Sequence, residues 1–215
     1  MYANRTEAGK KLAALVTPLL DGPAVVLALP RGGVPVAAEI ARQHSLPLDL
    51  ILVRKVGLPW HRELAVAAIA GPDGSEMVVN DGVAKSAGLN REEIERLAEP
   101  ERRELQRRRA LYLGDRKAIP LTGKTAIVVD DGIATGATMR AAIAAIRHAG
   151  AKRIILTVPV APREVLDQLT QDVDEIVCPE IPYPFYAVGA HYKDFPQVGD
   201  DIVKSSLSDF ASPSK

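Results

Sequence analysis

The chain has 215 residues, 47% of them hydrophobic, which suffices for one substantial core and suggests one domain with embellishments. Lys plus Arg and Asp plus Glu both number 27, so the formal net charge is zero, no long-range field gathers nucleic acid or an anionic membrane, and any anion site must be local. The single cysteine, Cys178, excludes an intramolecular disulfide, no Cys/His cluster has zinc-ligand spacing, and no apolar run approaches the roughly 18 residues of a membrane helix.

Residues 7–20 place Ala8, Leu12, Leu15, Val16 and Leu19 on one face, which predicts an amphipathic helix stopped by Asp21-Gly22-Pro23. Ala24 to Leu29 is a continuous apolar run, the pattern of a strand covered on both faces, and Val34 to Gln43 reads as a helix. Leu48 to Arg54 reads as the next strand, with shorter ones over Leu64 to Ala70 and Glu76 to Asn80. Residues 90–113 are dominated by Arg and Glu, with Glu92/Arg96, Glu99/Arg103 and Glu104/Arg108 at i, i+4 spacing. Their apolar stripe shrinks to Ile94, Leu97, Ala98, Leu105 and Tyr112, so this is a solvated helical excursion that Pro100 divides or kinks.

Thr125 to Asp130 is a strand and Met139 to Ala149 a helix, with Met139, Ala142, Ile143 and Ile146 facing the core and Gly150 ending it. Arg153 to Val160 (strand), Pro162 to Leu169 (short helix) and Asp174 to Cys178 (strand) complete the alternation, and Ser205 to Lys215 reads as a frayed tail. The fold class expected is α/β, a mostly parallel twisted sheet flanked by helices. One domain is expected over residues 1–204, with an inserted strand and helical excursion at 72–122, a small C-terminal hood at 178–204 and a flexible tail at 205–215.

The chemistry concentrates where apolar Ile127-Val128-Val129 ends in Asp130-Asp131 and breaks into Gly132-Ile133-Ala134-Thr135-Gly136-Ala137-Thr138 before a helix. Asp-Asp-Gly alone makes a turn. Followed by this hydroxyl loop and a helix start, it becomes a site for a phosphorylated sugar. Backbone N–H groups and the Thr135 and Thr138 hydroxyls hold the phosphate, while the carboxylates accept from sugar hydroxyls. Two more segments fall at strand ends, where ligands sit in such sheets: Pro30-Arg31-Gly32-Gly33 and Arg54-Lys55. Arg31 offers a planar donor fork, and Gly32-Gly33 allow φ > 0 or close approach to a ligand, as a diphosphate loop needs. Adjacent residues at a strand end point oppositely, so only one of Arg54 and Lys55 reaches the ligand.

In the order strand, two acids and T-G-x-T loop, residues 127–138 closely resemble the phosphoribosyl-diphosphate (PRPP) motif of the type I phosphoribosyltransferases. With P-R-G-G and R-K-x-G on the same chain, the resemblance spans roughly residues 5–200 and is greatest to the bacterial stand-alone phosphoribosyltransferase-like proteins. It implies PRPP binding by Asp130 to Thr138 and diphosphate binding by Arg31, Gly32 and Gly33, with Arg54 and Lys55 neutralising the departing diphosphate. It also implies an unusual ω or φ/ψ between Pro30 and Gly33, and a lid from residues 57–75 or 90–113. Ile181 to Gly189 resembles the aromatic-x-V-G hood, which assigns Tyr186 and Val188 to the base; Asp194 does not match the family's spacing cleanly. Ala134 stands where 6-oxopurine enzymes carry an acid, which disfavours hypoxanthine and guanine.

The implied reaction is Mg²⁺-dependent transfer of the 5-phosphoribosyl group from PRPP to a nitrogen nucleophile, a nucleobase or other amine, by a homodimer without nucleic-acid or membrane partners. Asp130 and Asp131 would meet Mg²⁺ only through water or ribose. The lone cysteine and the absence of a charged stretch leading an apolar core after Met1 lead to a cytoplasmic expectation. Two rivals remain: a PRPP-sensing regulator without transfer activity, and a nucleotide triphosphatase suggested by Ala118 to Thr125. The latter is one glycine short of a P-loop and precedes a strand instead of following one.

Overall fold

The computed structural model describes residues 1–71, 74 and 76–210, with backbone only at Arg62 and Glu63. In chain order the elements are α1 (Arg5–Val16), β1 (Ala24–Ala28), α2 (Gly33–His44), β2 (Leu48–Leu50), β3 (Val53–Leu58), β4 (His61–Ala70), β5 (Glu76–Val79), α3 (Asp81–Ala87) and α4 (Arg91–Leu113). There follow β6 (Thr125–Val129), α5 (Ala137–His148), β7 (Arg153–Thr157), α6 (Arg163–Leu169), β8 (Glu175–Val177) and α7 (Asp200–Ser208), with 3₁₀ turns at Thr17–Leu19 and Val188–His191. A five-stranded sheet runs β2-β1-β6-β7-β8, all pairs parallel.

The unbroken apolar runs of β1 and β6 are buried at every residue because helices cover both faces. Alternation divides their side chains: Val26, Ala28, Ile127 and Val129 pack with Leu12, Val16 and Ile40 of α1 and α2. Val25, Leu27, Ala126 and Val128 pack with Met139, Ile143, Ile146 and Leu166 of α5 and α6. The expected α/β architecture is therefore present.

The strand expected over Leu48 to Arg54 is two strands in different sheets. β2 pairs with β1 and stops at Leu50, whereas β3 starts at Val53 and pairs antiparallel with β4. Ile51 and Leu52 stay buried across the change, and no Gly or Pro marks it. The resulting three-stranded antiparallel sheet, β3-β4-β5, shares its core with Ile94, Ala98 and Leu105 of α4. Smaller differences lie at the ends: β7 closes at Thr157, and residues 205–208 of the expected tail belong to α7, whose Val203 and Leu207 are buried. The last five residues, 211–215, and Pro72, Asp73 and Ser75 within the expected 57–75 lid, lie outside the described residues.

Pro100 does not divide the excursion, because α4 continues through it as one helix. A capping box starts α4: Asn90 Oδ1 accepts from the Glu93 N–H at 3.0 Å and Glu93 Oε2 accepts from the Asn90 N–H at 2.8 Å. Glu99–Arg103 (3.1 Å) and Glu104–Arg108 (2.9 Å) form as spaced, and Arg102 joins both Glu95 and Glu99 at 3.2 Å. Each exposed pair contributes only about 0.3–0.5 kcal/mol, so burial of the Ile94-Ala98-Leu105 stripe is the larger restraint. Since a helix-interior proline costs about 3 kcal/mol against alanine, Pro100→Ala raises stability by up to that amount, read as a higher urea midpoint at unchanged slope.

Candidate functional site

The site follows from the pairing of β1 with β6. With Ala28 opposite Val129, the segments after the two strands leave the same sheet edge side by side, and the Leu29 N–H bonds Val129 O at 2.9 Å. Asp130 and Asp131 follow directly. Asp130 Oδ1 accepts the Asp131 N–H at 2.8 Å; burial, then the adjacent Asp131 charge, pushes the Asp130 carboxyl well above the usual carboxylate range. Asp131 Oδ2 receives Arg5 Nε at 2.8 Å, and the two side chains are only 14% and 9% exposed. Tyr192 donates its hydroxyl to the Asp131 carbonyl at 2.6 Å, and burial, followed by the Asp131 charge, raises its phenol.

Pro30-Arg31-Gly32-Gly33 lies over these acids, with a cis peptide between Pro30 and Arg31. Neither glycine takes positive φ, and at each the place of a side chain is filled by the chain's own acids or backbone. A Cβ on Gly32 would stand 2.1 Å from Asp131 Oδ2; one on Gly33 would stand 2.6 Å from Val129 O and 2.9 Å from Asp130 Cα. The reason is the narrow gap between neighbouring parallel strand ends, which admits a second loop only without side chains.

Beyond the acids, Ile133 is buried and its N–H bonds Val160 O at 3.0 Å, which pins the loop. Ala134, Thr135, Ala137 and Thr138 are exposed. Gly136 adopts φ +75°, a left-handed turn into α5, and no side chain caps the helix. The first-turn N–H groups of α5 are thus left to a ligand or water beside two threonine hydroxyls, a cup suited to a phosphate.

Of the predicted cations, Arg31 and Arg54 are each held by an acid from elsewhere in the chain. Arg31 Nη1 lies 3.6 Å from Asp200 Oδ1, which also accepts the Tyr112 hydroxyl at 2.7 Å. Arg54 Nε donates to Glu101 Oε2 at 2.8 Å, while Lys55 is exposed, the opposed orientation that adjacent strand residues require. Arg54 shares a cavity of about 40 Å³ with Pro30, Thr138 and Arg108 of α4. Two of the three predicted segments thereby meet the phosphate loop, together with an arginine that the sequence places on a solvated excursion.

A cavity of about 520 Å³ opens between the acids and the hood, lined by Arg5, Arg31, Gly32, Asp131, Val188 and the run Phe195 to Val198. Asp130 is not among its walls. Tyr186 is not either: it is 83% exposed, and Phe195 is the aromatic that faces the cavity. Phe185 stacks on His191 instead, with ring centroids 5.8 Å apart. A larger cavity of about 750 Å³, between the end of β2, α4, α5 and residues 114–122, contains none of the predicted site residues. Among the described residues, no three His, Cys, Asp or Glu side chains gather as a metal cage, and no helix is long and apolar enough to cross a membrane.

Sequence reasoning missed Arg5, Tyr192 and Phe195, all of which meet at Asp131 or line its cavity. No local pattern links them to the motif; Arg5 lies 126 positions from its partner.

The sequence model of the family described as "Phosphoribosyl transferase domain" matches residues 7–193. This chain belongs to that family. Among solved structures, the crystal structure of TT1426 from Thermus thermophilus is 38% identical, with TM-score 0.87, covering 98% of this chain and 99% of that one. A Mycobacterium tuberculosis protein provisionally named a phosphoribosyl transferase is 42% identical over 207 residues, which cover 96% of this chain and 46% of the relative. The phosphoribosyl transferase domain seen here thus spans about half the length of that curated relative.

Proposed function

We propose that the chain transfers the 5-phosphoribosyl group of PRPP to a nitrogen nucleophile, a heterocyclic base or another amine, and releases diphosphate. The observation that carries this reading is the paired acids at the end of β6, separated from the uncapped start of α5 only by an exposed hydroxyl loop. A ribose 5-phosphate spans these two features, its anion in the cup and its hydroxyls at the carboxyl groups. Asp131 faces the cavity and accepts from a ribose hydroxyl. Asp130 lies directly beside Asp131, its carboxyl raised above the usual carboxylate range by burial and then by the Asp131 charge.

In the reaction, the nitrogen lone pair forms a bond to C1 as the C1–O bond breaks, and that bond's electron pair leaves on diphosphate. Negative charge grows on the leaving group, where Arg31 and Arg54 supply guanidinium forks. Positive charge grows on the ribose, next to the acids. The hood at Val188 and Phe195 flanks the acceptor and excludes water, which competes as a nucleophile. Asp131, whose carboxylate faces the cavity, and Asp130 beside it would hold a Mg²⁺ ion through water or ribose, as suits a hard cation that prefers oxygen donors. Bound there, Mg²⁺ would add charge neutralisation of the leaving group. The homodimer belongs to the same proposal and rests on the family resemblance, while the cytoplasmic setting rests on the lone cysteine.

The triphosphatase reading finds no support in the geometry. Thr122-Gly123-Lys124 is a turn feeding β6, with the Lys124 N–H bonding Leu121 O at 2.9 Å, and it opens no helix.

The test is diphosphate release from PRPP and Mg²⁺ across a panel of purines, pyrimidines and simple amines, with the phosphoribosylated product weighed by mass spectrometry. Release is expected with at least one acceptor, and hypoxanthine and guanine are expected to be poor because Ala134 offers no acid to the base. PRPP binding with no release for any acceptor would replace transfer by sensing.

A further inference from the structure

We infer that Arg5 is a positioning residue that fastens the sugar-facing acid Asp131 to the C-terminal hood, so that occupancy of the sugar site and order in the hood are coupled through one buried guanidinium. The inference rests on the phosphoribosyl reading of the site and adds to it a residue outside every motif.

Arg5 stands at the first turn of α1 and is 8% exposed. An arginine buried to that extent needs a full set of partners, and this one has three of different kinds. Nε donates to Asp131 Oδ2 at 2.8 Å, Nη1 donates to Pro196 O at 2.8 Å, and the guanidinium carbon lies 3.7 Å from the centre of the Phe195 ring. The carboxylate belongs to the motif, whereas the carbonyl and the ring belong to the hood. A planar fork with separate donor directions can serve both at once, which a single ammonium cannot.

The hood end of this bridge is anchored. Tyr2 N–H bonds His191 O, and the Lys193 and Asp194 N–H groups bond Tyr2 O and Ala3 O, at 2.8, 2.8 and 3.0 Å, so the N-terminal segment and residues 191–194 form one strip. Tyr192 stacks between Tyr2 and Phe195, with centroid separations of 5.5 and 4.8 Å, and donates its hydroxyl to the Asp131 carbonyl. At the motif end, Asp131 Oδ2 is pressed between Arg5 and the bare Cα of Gly32. Displacing the Asp131 carboxylate therefore requires movement of Arg5, and Arg5 cannot move without releasing Pro196 and Phe195. A ligand that fixes Asp131 fixes the hood, and the reverse holds by linkage.

The experiment is PRPP titration with Mg²⁺ by calorimetry, together with hydrogen exchange of residues 192–198 with and without PRPP, on wild type, Arg5→Gln and Arg5→Lys. In the wild type, PRPP is expected to slow exchange in the hood. Arg5→Gln is expected to weaken PRPP about 10-fold or more, the loss of one charged hydrogen bond on Asp131, and to abolish the hood response. Arg5→Lys keeps a cation for Asp131 but not the fork. It is expected to bind PRPP within about threefold of wild type while losing most of the hood protection, a split that simple misfolding does not produce. Wild type that fails to bind PRPP would overturn the phosphoribosyl reading itself. Wild type that binds, with Arg5→Gln binding equally well, would overturn the role of Arg5. Should Arg5→Gln unfold, Arg5→Lys decides: hood protection equal to wild type would overturn the coupling.

Discussion

Replacing both Asp130 and Asp131 by asparagine is expected to weaken PRPP binding by about 10-fold or more, because the hydrogen bond that Asp131 accepts from a ribose hydroxyl loses a charged acceptor worth about 1.5–3 kcal/mol. The chain is expected to stay folded. Asparagine retains an Oδ1 for the Asp131 N–H and for Arg5, so neither of those groups is left without an acceptor. The two positions should separate in stability. Asp130 holds its proton more tightly in the folded protein than in the unfolded chain, where its reference value is 3.8. The folded state therefore binds more protons above that pH, and the stability from Asp130 declines as pH rises from 3.8 through its raised folded value. Asp130→Asn removes that decline. It is expected to be at least as stable as wild type at neutral pH, with the difference shrinking toward acid. Asp131→Asn instead weakens a buried ion pair and costs stability at neutral pH. Urea midpoints at several pH values, set beside PRPP titrations, check both parts. Undiminished PRPP affinity in the double variant would remove the assignment of the acids.

The two glycines after Arg31 are expected to fail differently when each becomes alanine. At Gly33 the new methyl would meet Val129 O and Asp130 Cα, both backbone, so the loop must lift off the sheet end. The expected cost is about 1–3 kcal/mol of stability, as for overpacking in a closed core. At Gly32 the obstacle is the Asp131 carboxylate, a side chain that can swing aside. Gly32→Ala should therefore lose the stability of the buried Asp131–Arg5 pair and also bind PRPP about 10-fold or more weakly, because Asp131 gives up its place against Arg5. Thermal unfolding and PRPP titration of the pair separate the effects. If Gly32→Ala bound PRPP normally, Asp131 would not be the sugar acceptor in the position seen here.

Most of the architecture was legible because it is written in short-range pattern. Continuous apolar runs at 24–29 and 126–129 marked strands covered on both faces, and the Met139-Ala142-Ile143-Ile146 stripe marked α5. The passage from β2 to β3 was not legible, since Leu48 to Val53 remains apolar but for Asp49 while the chain changes sheets. At Pro100 the sequence left a division or a kink open, and the helix is not divided. The penalty at a proline is local, and the burial that outweighs it comes from Ile94, Ala98 and Leu105 against another sheet. At the site, the motif placed Asp130 to Thr138 on one strand-loop-helix unit, since order along the chain is order in space there. Its surroundings depend on distant pairing. Phe195, not Tyr186, faces the cavity, and Arg5 reaches Asp131 from the first helix. Aromatic residues nine positions apart in the hood give no signal as to which turns inward.

Glu101 and Asp200, which hold Arg54 and Arg31, have a consequence for how an anion enters. Each guanidinium already carries a counterion bound to the same chain. A diphosphate arriving there exchanges with tethered carboxylates, whose local concentration is set by the fold and not by the surrounding medium. Fewer dissolved ions are liberated than bare arginines would release, so affinity for such a ligand falls off more gently with ionic strength than the number of cations alone would suggest. The electrically neutral chain thus confines its positive charge to the moment and place of exchange.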